Sequence, residues 1–164
     1  MPRILLETTI NAPIERVFDL ARSIDLHKLS TKGTNEEAIA GKTSGLIELN
    51  ESVTWRAKHF GVYQKLKVEI VEFERPNMFT DIMLKGIFRQ MKHVHRFMTE
   101  GTKTIMTDEF EYISPLGILG KLADTIFLKK YMTKFLIVKN KELKIVAEGE
   151  RWKDILSLSK ENNT

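Results

Sequence analysis

The chain has 164 residues, of which 42% are hydrophobic and 29% charged, with a formal net charge of +4 and no cysteine. This length suits one compact domain with a single core, and the composition excludes a disordered or fibrous chain. Without cysteine, disulfides, thiolate metal sites and cysteine nucleophiles are excluded. The N-terminus reaches Glu7 and Asn11 too early for a signal peptide, and no apolar run approaches the roughly 20 residues of a membrane span. We therefore predict a cytoplasmic protein.

The first 45 residues predict short elements separated by loops. Residues 3–11 alternate loosely and are rich in β-compatible side chains, which predicts a strand. Pro13 then marks the start of a helix, and a second short helix is predicted over residues 25–29. The following stretch is rich in Gly, Thr, Asn and Ser, which indicates loops around a weak strand at residues 37–40.

The middle of the chain predicts strand after strand. Six strands are expected, at residues 46–50, 52–60, 63–73, 79–84, 88–98 and 103–113. The short turns between them are typical of antiparallel neighbours. Leu66, Val68 and Ile70 alternate with charged residues, so one face of the sheet is expected to be buried.

The longest periodic segment covers about residues 119–148 and predicts one long helix that ends at Gly149. The proposed apolar stripe runs through Leu119, Leu122, Ala123, Ile126, Phe127, Tyr131, Phe135 and Val138. The remaining tail is expected to dock through Trp152, Ile155 and Leu156.

Five stretches resemble the SRPBCC superfamily, the START-like or Bet v 1-like proteins, in its ligand-binding and polyketide-cyclase-like branch. They are TWRAKHFG (54–61), FTDIM (79–83), GIFRQMKHVHRF (86–97), TDEFEYISPLGILGKLAD (107–124) and KNKELKIVAE (139–148). The resemblance implies an α+β helix-grip fold, in which a curved antiparallel sheet of about seven strands wraps a long C-terminal helix and leaves a cavity between. It also implies a helix-grip domain over residues 1–150, followed by a tail at 151–164.

Several polar residues are expected to face that cavity. In the strand at 88–98 the charges fall on the face opposite His93 and His95, so both histidines are assigned inward. Asp108 shares the inward face by the same parity, and so does His59. The facing of the strand at 79–84, and with it that of Asp81, is left open because apolar residues occupy both of its faces.

The cavity cluster has four interpretations. It is a satisfied polar cluster that fixes strand register, a site for the polar head of an apolar ligand, a His-Asp acid/base pair, or a metal site. The predicted ligand-binding residues are Trp55, His59, Phe79, Asp81, Met83, His93, His95, Phe97, Asp108, Phe110, Tyr112, Phe127 and Tyr131. The catalytic alternative uses His59, His93, His95 and Asp108.

The stretch MKHVHRFMTE, residues 91–100, looks like the start of a cupin metal site, with a His-x-His pair and a Glu. Such a site adds a third histidine from a later strand, and none follows His95. Only His59 is left to complete a three-histidine set, and Glu100 sits beside a turn glycine. We therefore predict no metal and no cofactor.

Charge is concentrated in residues 121–144, which hold seven lysines against Asp124 and Glu142. These lysines follow a helical pattern, which indicates a solvated helix face and does not favour a nucleic-acid interface. A weak contact between this helix and an anionic membrane surface is the other expectation. The favoured function is binding of a small hydrophobic or amphipathic molecule, such as a lipid, an isoprenoid or an aromatic polyketide-like compound. The alternative is a cyclase or aromatase-type enzyme, and the oligomeric state is left undetermined.

Overall fold

The computed structural model of the protein describes residues 2–114 and 127–161. The strands are β1 Arg3–Ile10, β2 Glu37–Gly41, β3 Ser52–His59, β4 Val62–Glu74, β5 Met78–Lys85, β6 Gln90–Glu100 and β7 Lys103–Ile113. The helices are α1 Ile14–Ala21, α2 Ile24–Ser30, α3 Lys129–Glu148 and α4 Trp152–Glu161, with a short 3₁₀ turn at Lys32–Thr34. The expected α+β architecture of about seven strands and a long C-terminal helix is confirmed.

All seven strands form one antiparallel sheet in the order β1-β7-β6-β5-β4-β3-β2. Five of them, β3 to β7, follow one another as hairpins, which is the meander that the short turns predict. The β3–β4 turn consists of Phe60 and Gly61, whose φ angles are 51° and 79°. Positive φ at both central residues matches the right-handed twist of a hairpin, and it leaves the Phe60 ring on the surface, 51% exposed.

Helices α1, α2 and α3 cover the concave face of the sheet. Phe18 of α1 anchors the first of them, because its ring makes edge contacts with Phe73, Phe79 and Phe97 at centroid distances of 5.3 to 5.5 Å. Helix α3 packs along β1, α1 and α2. The space that remains between α3 and the middle strands holds the candidate site.

The predicted strand at residues 46–50 is wrong. Leu46 makes only an isolated bridge with Ser23, and the Ile47 amide donates to the carbonyl of Arg22. Leu46 and Ile47 are both buried, so their hydrophobicity reflects packing near the α1–α2 junction. The backbone of this segment therefore bonds to the end of α1 at Ile47 and to β4 at Asn50, whose amide donates to the Ile70 carbonyl, and it forms no continuous ladder with a neighbouring strand.

The buried face of α3 differs from the predicted stripe. Phe127 and Val138 are 60% and 50% exposed. The buried residues of the helix are Leu136, Asn140, Leu143, Val146 and Ala147. Lys139 and Asn140 belong to this face. Because these two residues are polar, a search for apolar periodicity does not detect the buried face. The predicted helical residues 119–126 lie outside the described residues.

The C-terminal tail forms helix α4, which packs on α1 and α2. Trp152, Ile155 and Leu156 pack against the core. The guanidinium of Arg16 lies 4.0 Å from the Trp152 ring centroid, a cation–π contact that joins α1 to α4. Whether residue 150 ends the domain stays a prediction.

Candidate functional site

A cavity of about 120 Å³, called here the inner cavity, lies between α3 and strands β3 to β7. Its apolar wall includes Ile47, Val53, Trp55, Val68, Ile70, Phe79, Phe88, Met91, Phe110 and Leu136. Its titratable side chains are Arg22, His27, Glu36, Asp81, His93, His95 and Lys139. Since burying charged groups is costly unless they are paired, the contacts of these side chains decide what the cavity can do.

The register of three adjacent strands assembles Asp81, His93, His95 and Asp108, called here the Asp–His cluster. Asp81 on β5 lies directly opposite His93 on β6, and His95 lies directly opposite Asp108 on β7. The two histidines share one face because they are two residues apart on a strand. Aromatic packing fixes their rings: His95 stacks on Phe79 at 4.2 Å between centroids, and His93 meets the Phe110 ring edge-on at 5.3 Å.

Asp108 is the hydrogen-bonding centre of this cluster. Its Oδ1 lies 3.0 Å from His93 Nε2 and 2.8 Å from His95 Nδ1. Its Oδ2 accepts a hydrogen bond of 2.6 Å from the side-chain amide of Asn140 on α3, which also donates to Thr8 at 3.2 Å. The Asp108 carboxylate is 1% exposed, yet three donors satisfy it. It therefore fixes the orientation of both imidazoles.

These contacts shift the pKa values of the cluster in opposite directions. Burial alone would raise the pKa of Asp108, but the hydrogen bonds from His93 and His95 outweigh it and hold that pKa far below its usual range. Burial and the neighbouring His95 lower the pKa of His93. Burial also opposes the charged form of His95, but Asp108 and Asp81 overcome it and raise its pKa. His95 is thus the imidazole that holds a proton more readily.

Asp81 approaches the two histidines from the other side at a longer range. Its Oδ2 lies 3.4 Å from His95 Nε2 and 4.0 Å from His93 Nδ1. Burial opposes its charge, but the histidines lower the pKa of Asp81 below its usual value. Asp81, His93 and His95 therefore bring three metal-type donor atoms within 4.8 Å of one another at the wall of the inner cavity.

A second polar system, called here the Lys139 chain, crosses the cavity beside α2. Lys139 Nζ lies 3.1 Å from His27 Nδ1, and His27 Nε2 lies 2.9 Å from Glu36 Oε2. This pattern fits a lysine that donates to His27 and a His27 N–H that donates to Glu36. The His27 ring also stacks on Trp55, with centroids 3.9 Å apart.

Burial lowers the pKa of Lys139, since the charged form loses hydration. Burial and the Lys139 charge also lower the pKa of His27. Burial would raise the pKa of Glu36, but His27 and Lys139 reverse the effect and lower it to about 2. The expectation that the lysines of α3 form a solvated face is therefore wrong for Lys139, which turns toward the cavity.

A smaller space of about 70 Å³, called here the outer cavity, continues past Trp55 and Phe135 toward the β3–β4 turn. There His59 Nδ1 lies 2.7 Å from the Tyr131 hydroxyl. Phe60 packs on the Tyr131 and Phe127 rings at centroid distances of 4.6 and 5.4 Å. Aromatic rings, more than charges, build this end.

The structure separates the predicted ligand-binding residues into groups. Trp55, Phe79, Asp81, His93, His95 and Phe110 line the inner cavity, while Trp55, His59 and Tyr131 line the outer one. Asp108 lies behind the histidines and borders a small pocket of about 30 Å³. Four others line neither cavity: Met83, Phe97 and Tyr112 pack in or against the core, and Phe127 is exposed. Their predicted place on the cavity wall is therefore wrong.

The polar residues of the site that sequence reasoning missed include His27, Glu36, Lys139 and Asn140. They come from α2, the segment before β2, and α3, so no local motif joins them. The one available signal was the helical spacing of Leu136, Lys139, Asn140 and Leu143, which places two polar residues on an apolar face.

Within the described residues, no helix has the length and hydropathy needed to cross a membrane. No protein-family model matches the chain, and comparison with curated proteins finds no match either. Solved structures do match. The chain has the helix-grip fold of Bet v 1-like and START-like proteins.

Three of these structures illustrate the similarity. TTHA0849 from Thermus thermophilus is 23% identical, with a TM-score of 0.72 over 87% of this chain and 94% of that one. Major latex-like protein 151 from Panax ginseng is 16% identical, with a TM-score of 0.67 over 90% and 98%. A START superfamily protein from Mycobacterium smegmatis is 10% identical, with a TM-score of 0.68 over 89% and 97%. At these identities the similarity defines the fold alone.

Proposed function

We propose that the protein binds a small amphipathic molecule in the inner cavity. One observation carries this proposal: most of the cavity wall is apolar, as at Val53, Val68 and Phe88, and it also carries the hydrogen-bonded groups around His95 and Lys139. An apolar cavity with a few convergent polar groups is the usual form of a small-molecule site. The ligand's polar end would face the Asp–His cluster and the Lys139 chain.

Cavity size limits the ligand. A cavity of about 150 Å³ accommodates a benzene ring, so the inner cavity, at about 120 Å³, suits one ring or a short branched chain. The outer cavity adds about 70 Å³ and shares Trp55, Met132 and Phe135 with the inner one. Among the expected classes, a compact aromatic compound therefore fits better than a complete lipid, unless α3 moves away from the sheet.

The direct test is native mass spectrometry with single-ring and two-ring aromatic alcohols, acids and amines. Trp55 supplies a second readout, because a Trp152→Phe background leaves it as the sole tryptophan and a ligand in either cavity would quench it. Leu136→Phe should fill the inner cavity and weaken binding at least tenfold. Ile137→Phe is the matched control, since Ile137 is the next residue and is 50% exposed. Equal binding by both variants would exclude the inner cavity as the site.

An acid/base enzyme of the cyclase or aromatase type is the second candidate. The observation that favours it is the contact of both imidazoles with Asp108, which leaves His93 Nδ1 and His95 Nε2 on the side of Asp81, and all three of these residues line the inner cavity. A carboxylate behind a histidine is the arrangement by which enzymes orient a general base. A folded His93→Ala variant that binds ligand but no longer turns over an aromatic substrate would support it, whereas loss of binding alone would support the carrier.

Ligand entry at the outer cavity would bring the protein to a lipid surface. Phe60 and Phe127 are exposed beside the outer cavity, and Lys129, Lys130 and Lys134 are exposed on α3. Exposed rings next to lysines favour the interface of an anionic membrane. Under this proposal the protein exchanges its ligand while it is weakly attached to the membrane.

A further inference from the structure

We propose that Asp81, His93 and His95 bind a divalent first-row transition metal at the wall of the inner cavity. The donor set is two imidazole nitrogens and one carboxylate oxygen, all within 4.8 Å of one another. Imidazole and carboxylate donors suit Zn²⁺, Fe²⁺ and Co²⁺, and two histidines with one carboxylate form a common open metal site. The sequence predicts no metal because no third histidine follows His95, but in this set the third donor is the Asp81 carboxylate.

The histidine rings lie within hydrogen-bond distance of Asp108 but farther from Asp81. Toward Asp108 the distances are 2.8 and 3.0 Å, which are hydrogen-bond lengths. Toward Asp81 they are 3.4 and 4.0 Å, longer than a charge-assisted hydrogen bond. Two ligand atoms on one tetrahedral metal, with bonds of about 2.1 Å, lie roughly 3.4 Å apart. His95 Nε2 and Asp81 Oδ2 already have that separation, and a small rotation of the His93 ring would bring its Nδ1 into place.

Asp108 supplies the outer support that a metal-binding histidine needs. In metal sites the ring nitrogen away from the metal usually donates to a carboxylate, which fixes the tautomer and the ring orientation. His93 Nε2 and His95 Nδ1 both contact Asp108, so the ring nitrogens on the opposite side from Asp108 are His93 Nδ1 and His95 Nε2. These two atoms are the ones that approach Asp81. One carboxylate thus orients both ligand histidines.

Formal charge also favours a cation. Three carboxylates, those of Glu36, Asp81 and Asp108, interact with the single ammonium of Lys139. Metal ligation requires both histidines in their neutral form, and the group then keeps two negative charges, which one divalent ion neutralises. Because Asp81, His93 and His95 line the inner cavity, the remaining coordination positions face it and are free for water or a ligand oxygen. An open position of this kind is typical of catalytic sites.

The experiment uses the metal alone, so it is independent of the organic ligand in the proposed function. The full chain is dialysed against a chelator and titrated with Co²⁺ and Zn²⁺ by calorimetry, while visible absorption follows the Co²⁺ d–d bands. We expect one ion per chain. His95→Ala and Asp81→Asn should each weaken binding at least 100-fold, and Asp108→Asn should weaken it about 10- to 100-fold by releasing the rings.

Asp154→Asn is the matched control, because it makes the same chemical change as Asp81→Asn at an exposed residue of α4 that is no member of the donor set. It should keep one Co²⁺ per chain and the same spectrum. Circular dichroism of each metal-free variant checks folding, and if His95→Ala does not fold, the near-isosteric Asp81→Asn decides. The proposal is overturned if the folded protein binds no Co²⁺, or if Asp81→Asn binds it as tightly as the parent chain.

Discussion

The two ends of the cavity are stabilised by different kinds of interaction. At the Asp–His cluster, His93, His95 and Asp108 on two neighbouring strands are held, together with Asn140 of α3, by hydrogen bonds of 2.6 to 3.0 Å. At the outer cavity, half-exposed rings around Tyr131 make mostly ring contacts, with one hydrogen bond to His59. Polar networks fix geometry, whereas apolar contacts tolerate rearrangement. Under the proposed function, the inner end would select the ligand and the outer end would admit it.

The largest effect on stability is expected at the inner end. Asp108→Ala would leave His93, His95 and Asn140 without their common acceptor in a buried site. Removing one member of a buried charged network usually costs about 3–5 kcal/mol. Urea unfolding should show a loss of that order in the free energy of unfolding. A loss below about 1 kcal/mol would mean that the hydrogen bonds of the cluster do not make the inner end more rigid than the outer end.

The second largest effect is expected at Glu36, which lines both the inner and the outer cavity. Glu36→Gln should lower the free energy of unfolding by about 1–3 kcal/mol at pH 7, since Glu36 is the acceptor of the Lys139 chain. The native pKa of Glu36 is depressed to about 2. Its contribution is therefore complete above the unfolded pKa of about 4.3 and is lost as the pH falls toward 2.

Glu37→Gln is the control for this pH dependence. Glu37 is the adjacent residue and pairs with Arg56 at 2.7 Å, but its side chain is 56% exposed. An exposed pair contributes roughly 0–1 kcal/mol. Unfolding curves at pH 7, 5 and 3 should therefore separate the two variants at pH 7 and bring them together at low pH. Parallel curves would falsify the buried role of Glu36.

A smaller effect is expected at the outer end. Tyr131→Phe removes the hydroxyl that contacts His59 but keeps the ring packed against Phe60. Because this site is partly exposed, water replaces much of the lost hydrogen bond, and the cost should be about 1 kcal/mol or less. Thermal unfolding measures it. A cost that matches that of Asp108→Ala would remove the distinction between the two ends.

The smallest effect on folding is expected for Lys130→Gln, because Lys130 is exposed on α3. Stability should change by less than about 0.5 kcal/mol. Binding to vesicles of anionic phospholipid should weaken about fivefold, since one lysine near such a surface contributes about 1 kcal/mol. Co-sedimentation at low and high salt measures this, with neutral vesicles as the control. Equal binding to both vesicle types would argue against membrane contact.

Strand alternation predicted most of the inner site. Because side chains alternate strictly along a strand, His93, His95 and Asp108 could be assigned inward from neighbouring residues alone. The same argument failed to decide Asp81, since Phe79 and Thr80 are both buried at the start of β5. Irregularities in the β4–β5 pairing between Ile70 and Glu72 also break the parity that would carry over from β4.

Strand alternation could not predict the residues that helices α2 and α3 contribute to the site. The rotation of α3 about its axis depends on its contacts with the sheet, and the local signal for it is limited to the spacing of Leu136, Lys139, Asn140 and Leu143. Lys139 reads as one more surface lysine until His27 and Glu36, more than 100 residues earlier in the chain, are placed beside it. Long-range partners of this kind carry no signal in a single sequence.

The amide of Asn140 has a consequence for ligand size. It holds Thr8 of β1 and Asp108 of β7 from the helical side, so α3 cannot withdraw from the sheet without loosening the carboxylate that orients both histidines. A bulky ligand that displaces α3 would then weaken metal binding, while a compact ligand would leave metal binding unchanged. Because coupling between two ligands is reciprocal, the bound ion would in turn discriminate against bulky guests. Metal affinity would therefore report how far α3 has moved away from the sheet.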